Sequence, residues 1–166
     1  MENPASPTVK SEDLAPYSFN KGSDDQVIAD ALNILSKRLA VPSTTIVPES
    51  VKHYCGLLIS TLDHEMFGVM FLDTQNRMLG FEQMFRGTLT QASVYPREIV
   101  KAGLKYNAAS VIFTHNHPSG SVAPSRADEQ LTKTLKAALA LVDIRVLDHV
   151  IVAGSEAFSF AECGLM

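Results

Sequence analysis

One stretch of fourteen residues carries the side chains best suited to chemistry, with two imidazoles, a hydroxyl and a carboxylate from His115, His117, Ser125 and Asp128. The apolar run just before it, residues 108–113, is typical of a buried strand. Residues two apart on a strand point the same way, so the two histidines are predicted to project together from its end. Two imidazoles, one carboxylate and an open position for water are typical of a catalytic zinc site, because a structural site is closed by four protein ligands.

Such a site predicts metal-assisted hydrolysis of an amide. Zinc held by neutral imidazoles and a carboxylate lowers the pKa of bound water toward neutrality. A carboxylate that is not a ligand can then act as general base, and the Ser125 hydroxyl can donate to the oxyanion formed at the carbonyl. Ser125-x-x-Asp128 also resembles a capping box at a helix start. The two interpretations are compatible, because an aspartate in the first helical turn can face a metal beside that turn.

Other enzymes with two histidines at this spacing do not match. A metallo-β-lactamase-like HxHxDH motif needs Asp and His where this chain has Ser119 and Gly120. An amidohydrolase barrel needs about 250 residues. The chain has 166 residues. The missing motif residues exclude the first chemistry, and the chain length excludes the second.

Composition narrows the class of protein further. With 166 residues, 46% of them hydrophobic, the chain is predicted to form one domain with a sizeable core. The net charge of -4 and the pI near 5.7 give no electrostatic reason to approach phosphate backbones, so direct nucleic-acid binding is not expected. Neither a signal peptide nor an apolar run of membrane-spanning length is visible, which predicts no membrane association and a cytoplasmic location. These patterns do not specify an oligomeric state.

Local patterns place the elements around the motif. Residues 1–22 read as a flexible tail, and residues 23–166 as a single domain with an N-terminal helix at 23–44 and a core at 45–166. Further elements are predicted in this order: a helix from Pro48, a hairpin of 66–72 and 78–81, a short strand within 87–94, a helix from Pro96, the motif strand, a helix from Ser125 to about Leu141, a strand at 144–152 and an edge strand at 158–160. Strands interleaved with helices predict an α/β or α+β fold.

The spacing of the motif is similar to that of a known superfamily. His115-x-His117, seven further residues before Ser125 and two more before Asp128, resembles the metal-binding motif of the JAMM (JAB/MPN-type) metalloproteases. More closely, His115-Asn116-His117-Pro118-Ser119-Gly120 resembles the RadC-type branch of that superfamily. The likeness extends to residues 87–89, 96–99 and 142–152, and covers the chain from about residue 45 to its end.

This resemblance implies a JAMM/MPN-like (cytidine-deaminase-like) fold, a mixed β-sheet flanked by helices. It implies one Zn²⁺ per chain, held by His115, His117, Asp128 and water, and a peptide or protein substrate. It also implies a glutamate at the start of an early strand as general acid/base, and Glu65, directly before the first predicted strand, matches that position. Glu98 is the rival, although a charge at the start of a helix is the favoured interpretation there.

Two functions remain open at this level. The first is a zinc-dependent peptidase or isopeptidase, and the alternative is a non-catalytic metal-binding module associated with DNA repair or anti-restriction complexes. Residues 1–44 lack the helix-hairpin-helix region of longer RadC-type proteins, which predicts a short standalone form of the kind found among anti-restriction or mobile-element neighbours. His149 is interpreted as a satisfied core histidine rather than as support for a metal ligand.

Overall fold

The computed structural model describes residues 21–41, 48–87 and 94–166. Within these ranges, helices and strands follow one another in the order α1 (Lys21–Leu39), α2 (Pro48–Ile59), β1 (Met66–Leu72), β2 (Met78–Arg86), α3 (Pro96–Lys105), β3 (Ser110–Asn116), α4 (Arg126–Ala140), β4 (Arg145–Ala153) and β5 (Glu156–Ser159). This order confirms the predicted α/β class. No helix in the described part of the chain is both long enough and apolar enough to cross a membrane.

The five strands form one mixed sheet in the order β2-β1-β3-β4-β5. Strand β1 is antiparallel to both of its neighbours, β2 and β3, whereas β3 and β4 are parallel. A parallel pair needs a crossover connection, and α4 supplies it between β3 and β4. The first turn of α4 therefore follows directly from the loop at the end of β3.

Helices cover both faces of the sheet and give the domain two cores. On β1, Met66, Met70 and Leu72 face the core that contains α2, whereas Phe67, Val69 and Phe71 face the core that contains α3 and α4. Every residue of β1 is consequently buried. A strand buried on both faces reads as a continuous apolar run, which is why this segment lacks polar alternation.

The same alternation on β3 decides where the motif points. Val111 and Phe113 pack in the core with α3 and α4, and Ile112 packs in the core with α2. Continuing the period of two, His115 emerges on the α4 side and Asn116 on the α2 side. All seven residues of β3 are buried, so both side chains need partners inside the protein.

Two predicted boundaries differ from the structure. Helix α1 begins at Lys21, inside the predicted tail, and Asp24 lies in its first turn, where a negative charge is favourable to the helix dipole. Residues 1–20 lie outside the described part, so the tail stays a prediction there. Strand β2 runs on to Arg86 because it pairs along the whole of β1. Of the short strand predicted within 87–94, Gly87 and Val94 are not in a strand, and residues 88–93 lie outside the described ranges.

Candidate metal centre

Three side chains meet where β3 ends and α4 begins. The Nε2 atoms of His115 and His117 are 2.9 Å apart, and the Asp128 carboxylate oxygens lie 3.3 Å from the first and 3.6 Å from the second. Zinc ligands lie about 2.0–2.2 Å from the ion, so tetrahedral geometry spaces them about 3.4 Å from one another. The observed spacings bracket that value. These three residues form a group that could bind a metal ion.

The hydrogen bond of His117 fixes which of its ring nitrogens is free. Its Nδ1 lies 2.7 Å from the backbone oxygen of Ser121. A carbonyl oxygen only accepts, so the network assigns the proton of the neutral ring to Nδ1. Nε2 is left with a lone pair directed at His115 and Asp128, which is the form a metal ligand needs.

A buried chain of hydrogen bonds fixes His115 in the same way. The Thr132 hydroxyl donates to the backbone oxygen of Asp128 at 2.7 Å and therefore accepts from His149 Nδ1 at 2.6 Å. His149 Nε2 is then the acceptor of a 2.8 Å bond from His115 Nδ1. The Nε2 atom of His115 thus carries a lone pair, and it lies 2.9 Å from the Nε2 atom of His117. Two lone pairs at this distance repel each other unless a cation lies between them, so the donor set itself fits a metal ion.

Asp128 serves the helix and the site together. The Ser125 hydroxyl accepts from the Asp128 backbone N–H at 3.2 Å, and Asp128 Oδ2 accepts from the Ser125 N–H at 2.7 Å. This reciprocal pair is the predicted capping box at the start of α4. Burial alone would raise the pKa of Asp128, but the His115 and His117 rings, which donate to the carboxylate when they are protonated, outweigh burial and hold that pKa far below its usual range. Asp128 in turn accepts a hydrogen bond from the protonated form of the His117 ring and so raises the pKa of His117.

Glu65 lies beside this group and Glu98 does not. Phe67 pairs with His115, so continuing the antiparallel register brings Glu65 level with His117, on the same face of the sheet. Burial raises the pKa of the half-buried Glu65, and the neighbouring titratable groups that influence this pKa are those of His115, Asp128 and His117. Glu98 lies in the first turn of α3, where hydrogen bonding to Lys101 lowers its pKa.

Sequence reasoning underestimated two residues that support the candidate metal-binding group. His149 is a satisfied core histidine, as interpreted from the sequence, yet the partner that satisfies it is His115. Thr132 was not singled out, although its position four residues after Asp128 on a helix was a signal, because such a hydroxyl reaches the carbonyl one turn earlier. The pairing of His149 with Phe113 across β3 and β4 was not visible, since it depends on the register of two strands far apart in sequence.

Comparison with known proteins agrees with the site. Residues 45–165 match the family model of the RadC-like JAB domain. A UPF0758 protein of Verminephrobacter eiseniae is 56% identical over 140 residues, which are 84% of this chain and 59% of that protein. Its counterpart in Albidiferax ferrireducens is 58% identical over 132 residues, 80% of this chain and 56% of that protein. Another in Acidovorax ebreus is 62% identical over 119 residues, 72% of this chain and 50% of that protein.

The chain thus spans about three fifths or less of the length of these relatives. The matched region nevertheless contains every residue of the group at β3 and α4, and it begins at the residue from which the motif resemblance was expected. The mixed sheet, the helices on both of its faces and the match to the family model all indicate the same fold. The chain belongs to the RadC-like JAB domain family.

Proposed function

We propose that the protein is a zinc-dependent hydrolase that cleaves peptide or isopeptide bonds. The observation that carries the proposal is the convergence of two imidazole Nε2 atoms and one carboxylate on a single point, with a second carboxylate, that of Glu65, beside it. Three protein ligands leave a position open, as in catalytic rather than structural zinc sites. Zinc bound by these residues supplies Lewis acidity and lowers the pKa of water toward neutrality.

Glu65 is the residue that moves the proton. It accepts the proton that the attacking water loses as the water oxygen bonds to the scissile carbonyl carbon, and it returns this proton to the amine nitrogen when the C–N bond breaks. A base works best when its pKa is close to the working pH. The partial burial that raises the pKa of Glu65 acts in this direction.

Ser125 stabilises the charge that develops on the carbonyl oxygen. Its hydroxyl accepts a hydrogen bond from the Asp128 N–H, and the side chain lies exposed at the start of α4. The hydroxyl proton can therefore turn toward the substrate and donate to the oxyanion. The capping role and the proposed catalytic role use different atoms of the same group.

The test compares Glu65→Gln with Glu98→Gln, which changes the same side chain outside the site. Each protein, loaded with one equivalent of zinc, is incubated with a pool of amine-blocked peptides and with lysine-branched isopeptides, and new amino groups are identified by mass spectrometry. We expect Glu65→Gln to retain zinc and to lose about 100-fold or more in rate, because general base catalysis contributes about that much. Glu98→Gln is expected to match the parent.

Other outcomes separate the alternatives. If Glu98→Gln lost activity and Glu65→Gln did not, the general base would be Glu98 and not Glu65. Zinc binding by the parent without cleavage in either substrate pool would support the non-catalytic metal-binding module instead. Negligible zinc in both the parent and a His115→Ala/His117→Ala variant, measured by elemental analysis, would refute the metal centre.

A further inference from the structure

Asn116 lies between the two histidines but points to the other side of the sheet. It is 2% exposed, and its side-chain amide makes three hydrogen bonds. The Oδ1 atom accepts from the Met66 N–H at 2.8 Å, and Nδ2 donates to the backbone oxygens of His64 at 3.0 Å and of Leu62 at 3.3 Å. One buried side chain thus binds the backbone on both sides of Glu65.

The bonded segment is the connection from α2 to β1, in which the Leu62 N–H also donates to the Ile59 carbonyl at 3.3 Å and the Leu62 side chain packs against the core on the α2 side. Helix α2 ends at Ile59, and the paired residues of β1 begin at Met66. Between them, Glu65 makes one backbone bond, accepting from the Gly87 N–H at 2.8 Å. Asn116 supplies the bonds that the sheet does not supply at residues 62, 64 and 66. An asparagine suits this position because it offers an acceptor and two donors together, which a carboxylate or a hydroxyl does not.

We infer that Asn116 is a positioning residue, which holds the Leu62–Met66 backbone so that the Glu65 carboxylate stays at the metal centre. This inference rests on the proposed function. It links the two parts of the site through the end of one strand, because β3 carries His115 on one face and the amide of Asn116 on the other, and His117 follows directly after it. The histidines and the glutamate keep their relative positions even though some fifty residues separate them in sequence.

The test uses Asn116→Ala with Thr114→Val as the matched control. Thr114 lies two residues earlier on the same face of β3, is equally buried, and makes none of the hydrogen bonds that hold the Leu62–Met66 backbone. Amide hydrogen exchange of the metal-free proteins, followed by NMR, reports the backbone of the segment. Zinc stoichiometry and steady-state kinetics on a peptide cleaved by the parent report the site.

In Asn116→Ala we expect faster hydrogen exchange at the Met66 amide, unchanged exchange along Val69–Phe71 and full zinc content. We expect kcat to fall about 100-fold at constant KM, which is the size of effect that a misplaced catalytic group produces. Thr114→Val is expected to match the parent in all of these. Should Asn116→Ala fail to fold, Asn116→Asp serves instead: it keeps the acceptor for Met66, and its oxygens repel the carbonyls of Leu62 and His64. The same fall in kcat is expected there.

The result that overturns the inference is slow exchange at Met66 in Asn116→Ala, or a kcat equal to that of Thr114→Val. Failure of the proposed function has a different signature, namely Glu65→Gln as active as the parent, or no cleavage by the parent at all. In that case the role of Asn116 in positioning Glu65 for catalysis is refuted with it. A loss of kcat in Asn116→Ala beside an inactive Glu65→Gln supports both.

Discussion

Replacing Thr132 by valine tests whether the buried hydrogen-bond chain prepares the metal ligand. The substitution keeps the branched shape but removes the hydroxyl that accepts from His149 Nδ1 and donates to the Asp128 carbonyl. Two tautomers of the neutral His149 ring are then possible. The ring keeps the proton on Nδ1, buried without a partner, or it moves the proton to Nε2. The second choice makes His149 a donor toward His115, whose own proton must then leave Nδ1 for Nε2, the atom that a metal needs free.

Each choice has a measurable consequence. His149 is fully buried, and leaving a buried donor without a partner destabilises a protein by about 1–3 kcal/mol. Moving the proton instead weakens metal binding, and the loss of a partner behind a histidine ligand lowers metal affinity by about 10- to 100-fold. We therefore expect Thr132→Val to lower the free energy of unfolding, the zinc affinity, or both of them in part.

The matched control is Thr134→Val on the same helix. Thr134 donates to the carbonyl of Gln130 at 2.9 Å, the same bond to the fourth preceding residue, but it is exposed and has no contact with the site. Zinc affinity is measured by competition with a chromogenic chelator, and the free energy of unfolding of the metal-free protein by urea titration. If Thr132→Val equals Thr134→Val in both measurements, the hydrogen-bond chain does not prepare the ligand.

Two further predictions concern stability. Gly68→Ala is expected to lower the free energy of unfolding in urea by about 1–3 kcal/mol, because a Cβ there would lie 2.5 Å from the Phe81 ring. In the control Gly56→Ala, the added Cβ meets nothing within 4 Å, so this variant is expected to stabilise helix α2. Equal effects of the two substitutions would refute the packing argument. The metal-free protein is expected to lose stability as pH falls below about 6.5, by up to about 1.4 kcal/mol per pH unit, because burial lowers the pKa of His149 and only the unfolded chain then binds that proton. The raised pKa of His117 adds stability that is fully present below that pH and is lost only above it. The raised pKa of Glu65 adds stability as pH falls, and the lowered pKa of Asp128 removes stability only below about pH 5. Urea titrations of Glu65→Gln between about pH 6.5 and 5 therefore report His149, and a flat profile there would contradict the assignment.

Local patterns were sufficient for most of the secondary structure. The apolar run of β3, the proline starts of α2 and α3 and the capping box of α4 are encoded within a few residues, and all appear where the sequence indicates. The period of two also sufficed to separate His115 from Asn116. Boundaries were less well determined: β2 extends to Arg86 because its partner β1 is long enough to pair with it, which is a property of the pair rather than of either segment.

The sequence by itself determined the set of residues that could bind a metal, since His115, His117 and Asp128 are brought together by one strand end, one loop and one helical turn that follow one another in the chain. Only the tertiary structure decided what supports that set. His149 and Thr132 reach His115 because β4 and α4 pack against β3, and Asn116 reaches the Glu65 segment because β1 pairs with β3. Such contacts depend on strand order and register, which are set by the burial of both sheet faces together and not by any local pattern.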